Sequence, residues 1–203
     1  MDLDLGDMDA AFREIEPWGK TDRQIMRLIV ERHRPGTTAS EEELDRAGRR
    51  ACELHHGSER PLLRGDERDL TEMALSRLRD AGHRLALLTG NLEPIARRKM
   101  DLSGLAEMFP PGQGAFGSDA EHRPDLVPIA RARAGDNGQP HPREDTVLIG
   151  DTPLDVAAAQ ADGVRCIGVT GARFAEVDLR LAGADAVVAS VPGVEFALSP
   201  WVS

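Results

Sequence analysis

No stretch of the 203-residue chain approaches the roughly 18 to 20 apolar residues needed to span a bilayer, and its first 30 residues lack the basic-then-apolar pattern of a signal peptide. A cytoplasmic location and no membrane partner are the expectation. Basic charge is scarce as well: 25 Lys and Arg stand against 35 Asp and Glu, for a net charge of -10. That balance argues against nucleic acid or an anionic membrane as partner, since both are captured by basic surfaces. If such a chain handles phosphate, it must do so locally, with a metal or a few fixed donors. Lysine is almost missing, with only Lys20 and Lys99, so arginine carries nearly all the positive charge and no single surface Arg is informative. Cysteine is limited to Cys52 and Cys166. Both read as reduced, partly buried thiols rather than as a disulfide or metal ligands.

What is present is an alternation. The short apolar runs RLALLTG (84–90), GAFGSD (114–119), TVLIGD (146–151), RCIGVTG (165–171) and DAVVAS (185–190) are separated by segments able to form two to three helical turns. Continuous apolar strands with helices between them predict a parallel sheet covered on both faces, a doubly wound α/β layer. A helix over 67–82, with Leu70, Met73, Ala74 and Leu78 on one face, is expected to feed the first run. Residues 20–65 carry no strand signal. TDRQIMRLIVERH places Ile25, Leu28 and Ile29 on one helical face, and Ser40 before a run of acidic residues reads as a helix N-cap. GDNGQPHPRED (135–145) reads as a polar loop.

In an open parallel sheet, ligands collect at the carboxyl ends of the strands. One run ends in Thr89-Gly90-Asn91, where a hydroxyl and the N–H groups opening the next helix suit an anion. Another ends in Asp151-Thr152-Pro153-Leu154-Asp155, with two carboxylates one helical turn apart. Mg2+ prefers such a pair together with phosphate oxygens and waters. Taken singly, the first pattern is commonly a capped turn and the second a helix N-cap. Their order at successive strand ends is what argues for chemistry. Gly19-Lys20-Thr21-Asp22 imitates the end of a P-loop, but Glu14 stands where that motif needs Gly, and no apolar strand precedes it.

RLALLTGN, GAFGSDAEHRPDLVPIA and VLIGDTPLDVAAAQADGVRCIGVTG together resemble the core of haloacid dehalogenase superfamily hydrolases, in the phosphoglycolate-phosphatase-like branch. The resemblance spans roughly residues 19–190. It implies a Rossmann-like core over 66–203, with residues 1–65 forming an N-terminal remnant and a small helical cap. It further implies a phosphomonoester hydrolase for a small phosphorylated metabolite. Thr89, Gly90 and Asn91 would bind the phosphoryl group, and Asp151 and Asp155 would hold Mg2+. Arg123 stands at the place of the lysine that neutralises phosphoryl oxygens, with Lys99 as the fallback, though a forked guanidinium and an ammonium are not equivalent. Lys20 and Asp22, at the start of the cap, would face substrate.

The family's first motif is Asp-x-Asp-x-Thr/Val at the end of the first strand. Its first Asp attacks phosphorus to give an aspartyl-phosphate, and its second serves as acid and base. Asp2/Asp4 and Asp7/Asp9 have this spacing, but Gly6 and Ala11 occupy the fifth position and no apolar strand precedes either pair. Both therefore read as decoys. The resemblance places the first strand centrally, between the strands ending at Thr89 and Asp151. Its apparent absence would leave two inner edges unpaired. The expectation is a late start that omits strand and nucleophile; the alternatives are a catalytically dead phosphate- and Mg2+-binding or regulatory module, or a core completed by another chain. Dehalogenation is disfavoured by the metal pair, and a receiver-like domain by the helical segment before the sheet.

Overall fold

A computed structural model describes residues 14–56, 61, 63, 65–171 and 173–201. From Asp22 onward, two helices lead the described residues. Helix α1 spans Asp22–His33, and the Thr21 hydroxyl caps it by accepting from Gln24 N at 3.1 Å. Helix α2 spans Glu41–His56. Ser40 and Glu43 exchange bonds there, Glu43 N to Ser40 Oγ at 3.3 Å and Ser40 N to Glu43 Oε2 at 2.9 Å, a reciprocal cap that satisfies two donors at once. Arg23 to Asp45 and Arg27 to Glu41, each at 2.8 Å, tie the two helices together.

Helix α3, Gly65–Asp80, buries Thr71, Ala74, Leu75 and Leu78. This corrects the predicted face. Leu70 and Met73 are 48% and 47% exposed, because the i, i+3, i+4, i+7 stripe that meets the core begins one residue later, at Thr71.

The strands are all parallel. β1 (Leu88–Thr89) pairs with β2 (Ala115–Phe116), while β3 (Val147–Gly150), β4 (Arg165–Val169) and β5 (Ala186–Val188) form a second sheet in that order. Helices α4 (Glu93–Leu102), α5 (Leu126–Ala134), α6 (Pro153–Asp162), α7 (Glu176–Leu181) and α8 (Val194–Leu198) follow the successive strands. In β4, neighbouring side chains point to opposite faces, as pleating requires. Cys166 joins Leu148, Val156, Ala159 and Leu179 on one side, and Ile167 joins Leu78, Val194 and Leu198 on the other. Helices thus cover both faces of this sheet, which is the doubly wound α/β arrangement. Among the described residues no ladder joins β1 to β3, so the strands ending at Thr89 and before Asp151 each have an unpaired edge, as β2 and β5 do at the other side of their sheets. The run 84–90 is correspondingly strand only at Leu88–Thr89.

Candidate active site

The end of β3 is built around one carboxylate. Asp155 is 1% exposed, at the third position of α6, and closes a reciprocal cap with Thr152. Its Oδ2 accepts from Thr152 N at 3.0 Å and Thr152 Oγ1 at 2.8 Å. Its Oδ1 accepts from Arg123 Nη2. Gly150 is the residue that lets this carboxylate in, since a Cβ there would lie 2.3 Å from Asp155 Cβ and Cγ. Arg123 opens the single helical turn Arg123–Asp125 and also donates Nη1 to the Gly19 carbonyl at 3.2 Å. Its Nε is buried without a partner among the described residues.

Asp151 is different. It reaches water, and no donor from another described residue occupies its carboxylate. Chain packed on its inner side desolvates it, and Asp155 adds like charge; together they raise its pKa, against the smaller opposing pulls of a hydrogen bond from its own backbone and of Arg123. Of the two carboxylates expected to hold a metal, Asp151 has its oxygens available and Asp155 is largely committed to Thr152 and Arg123.

At the end of β1, the Thr89 hydroxyl accepts from Asn91 N at 3.2 Å, which leaves its own proton to donate outward. The Asn91 side chain is spent within the protein: Nδ2 donates to Asp22 Oδ1 at 3.1 Å, and Oδ1 accepts from Lys99 Nζ at 2.7 Å. Asp22 Oδ2 in turn accepts from Leu92 N at 2.8 Å, and Asp22 N donates to Gly90 O at 2.7 Å. Gly90 admits this chain, because a Cβ on it would stand 2.4 Å from Lys20 O. Lys20 Nζ bonds the Glu16 carbonyl at 2.5 Å.

Residues 19–22 therefore run from Arg123 and Asp155 to Gly90 and Asn91, linking the two strand ends that no ladder joins. Thr89, Gly90, Asn91, Lys20, Asp22, Arg123, Asp151 and Asp155 form one connected neighbourhood. Lys99 belongs to its Asn91 side and makes no bond to Asp155. The Asp2/Asp4 and Asp7/Asp9 pairs lie outside the described residues.

Three features were not readable from spacing. Thr21 is fully buried and donates to Glu121 O at 2.5 Å. Arg27 grips the Glu121 carboxylate in a fork, Nε at 2.6 Å and Nη2 at 2.8 Å, which holds that carboxyl below the usual range. The Arg173 guanidinium lies over the Trp18 ring, 3.2 Å from its centre. Each joins residues about a hundred or more positions apart, so only the folded chain could reveal it. A cavity of about 470 Å³ opens between α1, α2 and the 118–121 loop, lined by Arg23, Glu41, Asp45, Asp119 and Glu121. Its carboxylates would repel phosphate, and it includes none of the candidate residues.

The sequence model of the family described as haloacid dehalogenase-like hydrolase matches residues 6–160. The "Putative pyrophosphatase PpaX" of Caldanaerobacter subterraneus subsp. tengcongensis is 28% identical over 102 residues, 50% of this chain and 44% of that protein. The chain thus aligns with less than half the length of this curated relative. Among solved structures, a hydrolase from Pseudomonas syringae superposes with a TM-score of 0.65 at 18% identity, over 97% of this chain and 87% of that one. CbbY from Rhodobacter sphaeroides, in complex with phosphate, gives 0.62 at 23%, over 96% and 81%. These two share the fold, and the family match covers most of the sequence: the chain belongs to the haloacid dehalogenase-like hydrolases.

Proposed function

We propose that the chain carries the phosphoryl- and metal-binding half of a Mg2+-dependent phosphomonoester hydrolase acting on a small phosphorylated metabolite. The observation that carries this reading is the joining, at neighbouring strand ends, of a hydroxyl, a buried arginine and a carboxylate pair in a protein of the dehalogenase family. In this reading residues 66–203 are the core and 1–65 an N-terminal remnant and helical cap. The Thr89 hydroxyl and the Gly90 N–H would hold phosphoryl oxygens, while the Asn91 N–H, given to the Thr89 hydroxyl, would orient that hydroxyl toward them. Arg123 would offset their charge while it fixes Asp155. Lys20 lies at the entrance; Asp22 and the Asn91 side chain position that segment.

The donor set suits Mg2+, which keeps several waters and takes one or two protein carboxylates besides substrate phosphate. Asp151 is the open ligand, and a cation would relieve both the desolvation of its carboxylate and the like charge of Asp155 that raise its pKa. Asp155, with one Oδ1 lone pair left, is the second ligand. When bound, the metal would neutralise charge on the phosphoryl oxygens.

We also propose that the described residues bind phosphate without attacking it. Asp22 and Asp155 are both occupied by protein donors, and neither opening Asp pair has the sequence context of a nucleophile. That observation also favours the second reading, a binding or regulatory module derived from a phosphatase. The test is p-nitrophenyl phosphate turnover with Mg2+, run beside calorimetric binding of inorganic phosphate. The expected result is binding without turnover. Turnover abolished by Asp2→Asn or Asp7→Asn would overturn the assignment of those pairs as decoys, and no phosphate binding would overturn the site.

A further inference from the structure

Most arginines in this acidic chain are answered by carboxylates, as Arg27 is by Glu121, Arg131 by Asp162 and Arg133 by Asp119. Among the described residues Arg173 is not: its guanidinium faces the Trp18 ring, and no acidic group pairs with it. Arg49, Arg79 and Arg165 share this lack, but Arg49 and Arg79 sit on the exposed surfaces of α2 and α3, and Arg165, over the Trp201 ring at the start of β4, donates to the Glu144 carbonyl, whereas Arg173 follows a strand end. Its place is specific. Arg173 is exposed and lies two residues beyond Gly171, whose Cβ position is 3.9 Å from Asp151 Oδ2. Trp18 directly precedes Gly19, whose carbonyl is bound by Arg123. The Trp18–Arg173 pair therefore stands at the rim of the Asp151–Arg123 site and joins the two chain segments that border it.

Resting on the phosphatase reading, we infer that Arg173 is a specificity-determining residue that leaves the Trp18 ring to bind a second anionic group of the substrate. The substrate class is a small phosphate monoester that carries a carboxylate or a second phosphate. The exchange is favourable on general grounds. An exposed cation–π contact is weak, whereas a guanidinium forks onto a carboxylate or phosphate through two charge-assisted hydrogen bonds. Trp18 keeps the side chain at the rim until such a group arrives. A monoester with only neutral hydroxyls gives Arg173 nothing to gain by moving.

The chain has two tryptophans, so a Trp201→Phe background leaves Trp18 as the sole indole reporter. Inorganic phosphate, glycerol 3-phosphate and 3-phosphoglycerate are titrated in Mg2+ buffer, by calorimetry and tryptophan emission. The last two differ in the carboxylate. The expected preference for 3-phosphoglycerate over glycerol 3-phosphate is at least about fivefold, the difference between a forked ion pair and a surface cation–π contact. Trp18 emission shifts with 3-phosphoglycerate only. In Arg173→Met the preference disappears while phosphate affinity is unchanged, and Arg173→Lys retains part of it. Equal affinities in the wild type, a preference that survives Arg173→Met, or a silent Trp18 overturns the inference and leaves the phosphate site standing. Failure of inorganic phosphate to bind overturns the site itself, and this inference with it.

Discussion

Replacing Arg123 by Met removes one partner of a nearly dry ion pair. The Arg123 side chain is 13% exposed and that of Asp155 2%, so the carboxylate left behind cannot recover its hydration. Breaking a buried pair from one side typically costs about 3–5 kcal/mol, because an uncompensated charge remains. Here Oδ2 keeps its two donors from Thr152, which places the expected loss at the lower end, about 3 kcal/mol. Against a total stability of about 5–15 kcal/mol this is readily measured by urea unfolding at pH 7, as a lower midpoint with unchanged slope. The double variant Arg123→Met, Asp155→Asn removes the stranded charge while keeping an acceptor for Thr152, and should recover about half of the loss. A loss under about 1 kcal/mol in Arg123→Met, the range of surface pairs, would refute the claim that this pair is the buried fastening of the site.

Other outcomes follow from the same geometry. Gly150→Ala drives a methyl into Asp155 and should destabilise by at least about 1–3 kcal/mol, with loss of phosphate binding; a variant that unfolds like the wild type contradicts the packing at the end of β3. Arg27 lowers the Glu121 pKa, so this pair's contribution is fully present above the ordinary Glu value near 4.3 and is lost as pH falls through the lowered one. Arg27→Gln should therefore flatten the acid limb of stability between about pH 5 and 3, read from unfolding midpoints across that range. Burial pushes the Cys166 thiol up to about 12, and Cys52 is raised more modestly by burial and by Asp22, so a thiol-specific disulfide reagent at pH 8 should leave Cys166 unmodified in the folded chain. Both thiols should react in urea, and prompt labelling of Cys166 in the native protein would contradict its place in the core.

Much of the architecture was legible because it rests on local pattern. Short apolar runs between helical segments marked the strands, and Ser40 before a run of acidic residues marked the start of α2. The positions of Thr89 at a strand end and of Asp151 and Asp155 between a strand and a helix start were readable, because such junctions carry a recognisable residue order. Local pattern also misled. Leu70 and Met73 fit a helical stripe as well as Thr71 and Leu75 do, and only tertiary packing chose the second. Asp155 was legible as a carboxylate but not as a buried one, since its commitment to Thr152 and Arg123 depends on the turn at residue 123 arriving beside α6. Asn91 and Asp22 looked like ligand-facing residues, yet their polar atoms serve each other, Lys99 and Leu92. Arg27–Glu121 and Trp18–Arg173 left no trace in the sequence, because an arginine-rich chain offers many equivalent partners until it folds.

Thr89, Arg123 and Asp151 are proposed to form one Mg2+-linked phosphate site. Titration of inorganic phosphate into the wild type, Thr89→Val and Asp151→Asn, each with and without Mg2+, tests it most directly. The expected result is binding that requires Mg2+ in the wild type, is weakened about tenfold in Thr89→Val through loss of a hydrogen bond to a charged group, and no longer responds to Mg2+ in Asp151→Asn. Phosphate affinity that is the same in all three proteins, or indifferent to Mg2+ in the wild type, would contradict it.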